Sequence, residues 1–258
     1  MPLTPCHAAA AWALVRIFRL PVAAVVIGAM APDFLYLLRL RPSGNFGHTL
    51  PGIVLFCLPT SLVVWALFTK FVRPWLVSLV PLSREGWARP PGRRDASQLQ
   101  RLWLVTTGIV AGALSHVTWD AFTHDNGWGV QWFPVLARTL RLPGTSFEVH
   151  VYSLLQHGST LFGGLFVLAW ASSTVRDHRS VMALSSAQRR RLVRAGAGLA
   201  GATTAGAVIN GARAWERGLH HVLAHAAVGG MVALVAALLA MALHQRRREP
   251  RAQREFGF

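Results

Sequence analysis

The chain has 258 residues, of which 53% are hydrophobic and only 14% are charged, and its net charge is +16. A soluble domain usually has about a quarter charged residues, so this composition argues against a soluble globular protein and indicates one that crosses a membrane several times. All basic residues except Lys70 are arginines, and most lie in loops or in the C-terminal tail. That placement is typical of contacts with lipid headgroups, so we expect no nucleic acid partner.

Apolar segments, each separated from the next by polar or basic residues, predict a series of helices. In chain order they cover residues 7–20, 21–38, 50–72, 102–124, 151–175, 194–212 and 219–244. They predict an all-α fold, a polytopic integral membrane helix bundle of about six to seven membrane segments whose first two short segments form a hairpin. The last two segments are rich in Gly and Ala, which lets helices pack closely. We therefore expect a membrane domain at residues 1–175 and two accessory transmembrane helices with a basic tail at residues 176–258.

The basic residues also predict the orientation of the helices. Arginines are concentrated in residues 73–101, in residues 176–194 and in the tail after residue 244. Because short cytoplasmic loops of membrane proteins are enriched in Lys and Arg, we place all three stretches in the cytoplasm. The polar residues at the other ends of the helices then lie towards the extracytoplasmic face.

The stretch GALSHVTWDAFTH, at the end of the fourth segment, places His116, Asp120 and His124 at four-residue intervals. Positions four apart on a helix differ in direction by only about 40°, so the three share one face. An ionisable residue at membrane depth costs on the order of 3 kcal/mol, and no Lys or Arg stands beside Asp120. The triplet alone leaves two interpretations open, a hydrogen-bonded polar helix end or a stripe of metal ligands.

Four further polar residues fall at the same predicted membrane face. They are His7, Asp33, His48 and His157, and each taken singly has a structural explanation as a helix cap, an interfacial group or an interhelical hydrogen bond. Together with the triplet they offer imidazoles and carboxylates to one or two divalent ions. Zinc is the default for such a donor set, and another first-row metal is the alternative. The expected metal ligands are therefore His7, Asp33, His48, His116, Asp120, His124 and His157.

The ordered motifs TPCHAA, APD, GHT, SHVTWDAFTH and QHGS resemble the bacterial inner-membrane metal-dependent hydrolases over residues 1–175, and within them a branch described as a domain of unknown function. That group is in turn similar to zinc-dependent phospholipase C and to single-strand nucleases. The ligand order of those enzymes implies the same seven residues, with Asp120 as the bridging carboxylate. Two departures imply one or two ions rather than three: Leu161 stands where a last Glu is expected, and Met1 is retained where those enzymes have a free N-terminal Trp.

The resemblance implies a multi-pass protein of the bacterial inner membrane, with its metal site towards the extracytoplasmic face. The leading hypothesis is a membrane-embedded zinc-type hydrolase that acts on a phospholipid or another phosphodiester or ester at the bilayer surface. Asp33, if it is not a ligand, is then the catalytic candidate, because its carboxylate can hold or deprotonate a water. The alternatives are a non-enzymatic membrane protein that binds or transports a metal through the same cluster, and a haem protein with His116 and His225 as axial ligands.

Residues near the expected ligands have predicted supporting roles. Hydrogen bonds to the imidazoles are expected from Thr49, Thr123, Asp125, Asn126, Gln156 and Ser159. Contacts with lipid are expected from Trp119, Trp128 and Trp132, chiefly as anchors at the membrane interface. Glu148 and His150 precede His157 closely and are candidates to replace the missing acid.

Overall fold

The computed structural model describes residues 7–79, 97–141, 144, 148–179 and 186–248. The structure is 84% helical, which confirms the helical class. Within the described residues, five helices are long and apolar enough to cross a membrane: Val22–Arg39, Leu50–Leu79, Gln98–Thr123, Arg189–Ala212 and His221–Arg247. A shorter apolar helix precedes them, so the count of about six to seven membrane segments stays a prediction.

The elements follow one another with few breaks. The helices are α1 (His7–Phe18), α2 (Val22–Met30), α3 (Phe34–Arg39), α4 (Leu50–Gly52), α5 (Leu58–Leu67), α6 (Arg73–Leu79), α7 (Gln98–Thr123), α8 (Trp128–Trp132), α9 (Val151–Arg179), α10 (Ser186–Ala212) and α11 (Leu219–Arg248). Two π-helical turns, Ile53–Cys57 and Phe68–Val72, join α4, α5 and α6 into one span. An antiparallel hairpin of β1 (Thr139–Arg141) and β2 (Glu148–His150) interrupts the otherwise helical fold.

The chain forms two compact units. The first comprises Met1–Asp33, Asn45–Ser61 and Arg89–Ala171, and the second comprises Phe34–Gly44, Leu62–Ala88 and Ser172–Phe258. All the ligands expected from the sequence lie in the first unit. The expected division at residue 175 is near the boundary at residue 171, but the second unit also takes in residues 34–44 and 62–88. Residues 80–96, 180–185 and 249–258, on which the predicted orientation rests in part, lie outside the described residues.

In the first unit, α2 and α7 touch backbone to backbone. A Cβ atom on Gly28 would lie 2.1 Å from the carbonyl oxygen of Ile109, and a Cβ atom on Gly112 would lie 2.2 Å from that of Val25. Only glycine allows two helix backbones to approach this closely. The contact is dry, since Val25, Ile109 and Ala29 are fully buried. It sets α2 against the turn of α7 that precedes His116.

In the second unit, α10 packs along α11, and one polar side chain is buried between them. The side-chain amide of Asn210 donates hydrogen bonds to the carbonyl oxygens of His225, at 2.7 Å, and of Leu40, at 3.1 Å. Leu40 has a φ of +53°, so Asn210 stabilises an unusual turn at the end of α3. His225 in turn contacts the carbonyl oxygen of His221 through Nδ1.

Candidate metal centre

The structure brings five of the seven expected ligands together in the first unit. Two overlapping groups form, His7 with His116 and Asp120, and Asp33 with His48 and His116, and within each group the nearest ligand atoms lie within 4.8 Å of one another. Four separate regions of the chain converge here, one of them α7, which carries His116 and Asp120. His7 begins α1, Asp33 ends the 3-10 turn after α2, and His48 ends the 3-10 turn before α4.

The Nε2 atoms of three imidazoles face the oxygens of two carboxylates. His116 Nε2 lies 3.2 Å from Asp120 Oδ2, and His48 Nε2 lies 3.4 Å from Asp120 Oδ2 and 3.5 Å from Asp33 Oδ1. His7 Nε2 is 3.7 Å from Asp120 Oδ1, and its ring stacks on that of His116 at 3.8 Å. Ligands held at about 2.0–2.2 Å by one tetrahedral zinc ion lie about 3.3 Å from each other. The spacing of these donors therefore suits a shared ion.

The orientation of His116 is the most informative feature of the cluster. Its Nδ1 lies 2.7 Å from the carbonyl oxygen of Ala29, which can only accept, so Nδ1 carries a proton and the other ring nitrogen, Nε2, faces Asp120. Neither His116 Nε2 nor Asp120 Oδ1 has a hydrogen-bond partner among the described residues, although both atoms are buried. In a dry site this nitrogen and the carboxylate attract each other only through a positive charge between them, either a proton on Nε2 or a metal ion. Metal-binding histidines show the same arrangement, with the second nitrogen bonded to a carbonyl oxygen.

The carboxylates also make the environment of His48 strongly attractive to positive charge. Burial lowers the pKa of His48, but the adjacent carboxylates of Asp120 and Asp33 outweigh burial and raise the pKa to about 9. A proton on His48 and a divalent cation in the cluster are two ways of balancing the same negative charge. The electrostatics of the site therefore favour a bound cation.

The turn that carries His48 is held by contacts that the sequence did not indicate. A Cβ atom on Gly47 would lie 2.4 Å from the carbonyl oxygen of Pro32, so the turn packs directly on the residue that precedes Asp33. The buried thiol of Cys57 donates to the carbonyl oxygen of Gly47 at 3.3 Å. The π-helical turn that ends at Cys57 places this thiol below the 3-10 turn. Cys57 therefore supports the turn that carries His48.

His124 lies beside the cluster but outside both ligand groups. Helix α7 ends at Thr123, and His124 has an extended backbone, so it leaves the stripe that the four-residue spacing predicted. Its Nδ1 lies 3.1 Å from the carbonyl oxygen of Asp120, and its Nε2 lies 3.1 Å from the side-chain nitrogen of Gln156. Because the carbonyl oxygen accepts, Nδ1 carries the proton and Nε2 accepts from Gln156. Both ring nitrogens are thus engaged by protein groups.

His157 is exposed on α9, whereas its neighbour Gln156 is buried against His124. Successive residues on a helix point about 100° apart, so one of the two faces the site and the other turns away. Ser159 supports this arrangement, because its hydroxyl donates to the carbonyl oxygen of Gln156 and accepts from the indole nitrogen of Trp119. The structure therefore places an amide where the sequence pattern suggested an imidazole.

Substitution of Gln156 is expected to weaken metal binding more than substitution of His157. Gln156→Leu removes the hydrogen bond that orients His124, whose Nδ1 lies 3.8 Å from Oδ1 of Asp120, so its effect is expected at the lower end of the about 10–100-fold that loss of an outer contact costs in metal affinity. His157→Ala alters an exposed side chain and is expected to leave affinity within about twofold. Competition with a fluorescent zinc chelator measures both affinities. If the two variants lost metal affinity equally, His157 would again be a candidate metal ligand.

Glu148 and His150 lie in the β-hairpin, away from both ligand groups. Glu148 forms an ion pair with Arg141 across the two strands, and the ring of His150 stacks on that of Tyr152 at 5.1 Å. Both side chains are exposed and have local partners. In the part of the chain that the structure describes, neither reaches the cluster, so neither replaces the acid that the resemblance led us to expect.

Comparison with known proteins identifies one family. No curated protein and no solved structure matches the chain. The similarity to phospholipase C and to single-strand nucleases therefore depends on the order of the motifs and finds no support in these comparisons. Residues 1–243 match the family model DUF4184, described as a domain of unknown function, and the match includes every residue of the cluster. A match over nearly the whole length of the chain shows that this protein belongs to the DUF4184 family.

Proposed function

We propose that the protein is a membrane-embedded metal-dependent hydrolase. It holds one or two zinc-type divalent ions in the His/Asp cluster and cleaves a phosphodiester or a related ester at the bilayer surface. The orientation of His116 is the observation that supports the proposal most, because the hydrogen bond from Nδ1 to Ala29 directs Nε2 towards Asp120 and the centre of the cluster. A buried histidine that served only packing would have no need of two adjacent carboxylates.

The arrangement of Asp120 supports a site for more than one ion. Its Oδ1 faces His7 at 3.7 Å, while its Oδ2 faces His48 at 3.4 Å and His116 at 3.2 Å. A carboxylate whose two oxygens face different imidazoles is suited to join two ions. Asp33, which approaches His48 and His116 through Oδ1, supplies the second negative charge. The two carboxylates balance much of the charge of two divalent cations.

The unequal exposure of the ligand side chains indicates the side from which a substrate can reach the site. The side chain of His116 is fully buried, whereas those of Asp120 and His48 are 16% and 18% exposed. A substrate oxygen or a water therefore approaches from the side of Asp120 and His48. A divalent ion held there supplies Lewis acidity, which activates water near neutral pH and stabilises negative charge on the substrate. Asp33 is placed to accept a proton from an attacking water.

Hydrolysis of a substrate panel tests the proposal. Purified protein in detergent is expected to cleave at least one phospholipid, phosphodiester or carboxylic ester. A chelator should abolish the activity, and added Zn²⁺ should restore it. The Asp33→Asn variant keeps the shape of the side chain but cannot accept a proton, and it is expected to lower kcat by about 10²–10⁴-fold. The metal content of the same variant separates loss of the proton acceptor from loss of a ligand.

A different result identifies the alternative function. Protein that binds stoichiometric metal but cleaves nothing in the panel, with or without added Zn²⁺, would overturn the hydrolase and support a metal-binding or transport role. Intramembrane clusters of Asp and His are found in such proteins as ion or proton pathways. Transport of zinc into liposomes that contain the protein then becomes the decisive assay.

A further inference from the structure

The segment that follows α7 exposes several large apolar side chains in succession. Trp132 is 71% exposed, Phe133 is 52%, Val135 is 51% and Trp128 is 41%. The rings of Trp128 and Trp132 lie 4.9 Å apart, so they form one surface rather than isolated contacts. A contiguous aromatic surface of this kind marks an interaction site. We call residues 128–135 the aromatic segment.

The aromatic segment is attached rigidly to the last turns of α7. Cβ atoms on Gly127 and Gly129 would lie 2.2 Å and 2.8 Å from the carbonyl oxygen of Ala121, so the backbone of α8 touches that of α7. Val130 is buried, and the ring of Phe122 packs on Trp128 at 5.2 Å. Ala121 directly follows Asp120. The aromatic surface therefore keeps a constant position relative to the metal centre.

The length of α7 indicates what covers the aromatic surface. Trp103, 66% exposed, lies in the second turn of α7, and the helix ends twenty residues later at Thr123. At 1.5 Å per residue this distance is about 30 Å, the thickness of the hydrocarbon core of a bilayer. Leu114, between these ends, is 41% exposed, as expected of a side chain in contact with lipid. Tryptophan is enriched at both surfaces of a membrane, where its ring is apolar and its N–H reaches polar groups.

Polar side chains border the aromatic segment on both sides. Asp125 and Asn126 before the segment, Gln131 within it and Arg138 after it are all exposed, so apolar and polar groups alternate over a short length of chain. A contact with a second protein usually excludes such polar groups from its centre. The headgroup layer of a bilayer accommodates both kinds of side chain. The mixed character therefore favours lipid.

We propose that the aromatic segment lies in the headgroup layer of the bilayer and anchors the end of α7 there. Asp120 lies three residues before the end of α7, about 4.5 Å along the helix axis, so the anchor holds the cluster at headgroup depth. The consequence for the substrate rests on the proposed function. The bond that is hydrolysed belongs to the polar region of a lipid, and the acyl chains of that lipid lie deeper in the bilayer than the metal site. The anchor itself does not depend on hydrolysis or on metal.

Depth measurement with spin labels tests the anchor. Leu114→Cys, Trp132→Cys and Glu148→Cys proteins, made in a Cys6→Ser background in which Cys57 is buried, are labelled with a nitroxide and reconstituted into phosphatidylcholine–phosphatidylglycerol vesicles. Collision rates with oxygen, which concentrates in lipid, and with chromium oxalate, which stays in water, report depth. The label at residue 132 is expected to lie between the deep label at 114 and the aqueous label at 148.

Two results would overturn the anchor. A label at residue 132 as accessible to chromium oxalate as the one at 148 would place the segment in water, as a surface for a soluble protein. Dipolar broadening between labels at 132 on different molecules would assign it to contact with a second copy.

A conservative variant tests the same anchor in case the Trp132→Cys substitution disturbs folding. The difference in fluorescence between the wild-type protein and Trp132→Phe gives the emission of Trp132. Lipids brominated near the headgroup are expected to quench this emission more strongly than lipids brominated at the end of the acyl chain. The opposite order of quenching would contradict the anchor. Neither measurement uses metal or hydrolysis, so a failure of the anchor is distinguishable from a failure of the proposed function.

Discussion

Wild-type protein purified in detergent is expected to carry about one or two equivalents of divalent metal, and the Asp120→Asn variant is expected to carry less than about 0.3. The substitution keeps the volume of the side chain but removes the charge that faces His7, His48 and His116. Loss of an outer contact alone lowers metal affinity about 10–100-fold, so loss of a bridging carboxylate is expected to lower it by at least about 100-fold. Elemental mass spectrometry measures the metal content, and chelator competition measures the affinity.

Two further variants separate a ligand effect from a folding effect. His116→Ala removes the imidazole shared by both ligand groups and is expected to reproduce the loss of metal. His150→Ala removes an imidazole from the same unit that reaches neither group, and its metal content is expected to equal that of the wild-type protein. Circular dichroism and size-exclusion profiles should be alike in all four proteins. Wild-type protein that carries less than about 0.3 equivalents after dialysis against Zn²⁺ would refute the metal centre.

Gly112→Ala is expected to lower both the stability of the protein and its metal content. The new Cβ atom would lie 2.2 Å from the carbonyl oxygen of Val25 and 2.7 Å from the backbone nitrogen of Ala29, so α2 must move away from α7. Overpacking of this kind costs about 1–3 kcal/mol, which corresponds to a fall of about 2–12 °C in Tm for a protein of this size. Ala29 also accepts the hydrogen bond from His116, so the displacement disturbs the orientation of that ligand.

Gly158→Ala is the matched control, because a Cβ atom there would meet nothing within 4 Å. In the interior of a helix, alanine is favoured over glycine by up to about 1 kcal/mol, so this variant is expected to be as stable as the wild-type protein or slightly more stable. Thermal unfolding followed by circular dichroism in detergent measures the difference between the two variants. If Gly112→Ala matched Gly158→Ala in Tm and in metal content, the backbone contact of α2 with α7 would not support the site.

The spacing of residues along the chain was sufficient to predict part of the site. The four-residue spacing predicted that His116 and Asp120 share one helix face, because the helical period alone determines that relation. The start of α7 was placed too late at residue 102, although the sequence contains the signal. Ser97 and Gln100 form a capping box, each side chain bonding the backbone nitrogen of the other, and the helix begins at residue 98. A search for capping residues before the apolar run would have found the earlier start.

Features that depend on neighbouring elements were less predictable. Helix α7 ends one residue before His124, so His124 leaves the predicted helix face and contacts Gln156 instead. The last residue of a helix depends on capping contacts as well as on the helical period, and the sequence pattern reports only the period. On α9, apolar residues surround the helix, so periodicity does not indicate whether Gln156 or His157 faces the site. Cys57 acquired its role only because a π-helical turn brought its thiol to the carbonyl oxygen of Gly47.

The amino-acid sequence by itself determined that this chain is built from apolar helices and that the few carboxylates in its apolar segments have only histidines as neighbouring partners, since composition and helical period are properties of the chain alone. It also determined that His116 and Asp120 lie on one helix face. Only the tertiary structure decided which other residues join them. His7, Asp33 and His48 come from distant turns, and their meeting depends on the close approach of α2 to α7, which glycine permits and the packing of the first unit enforces.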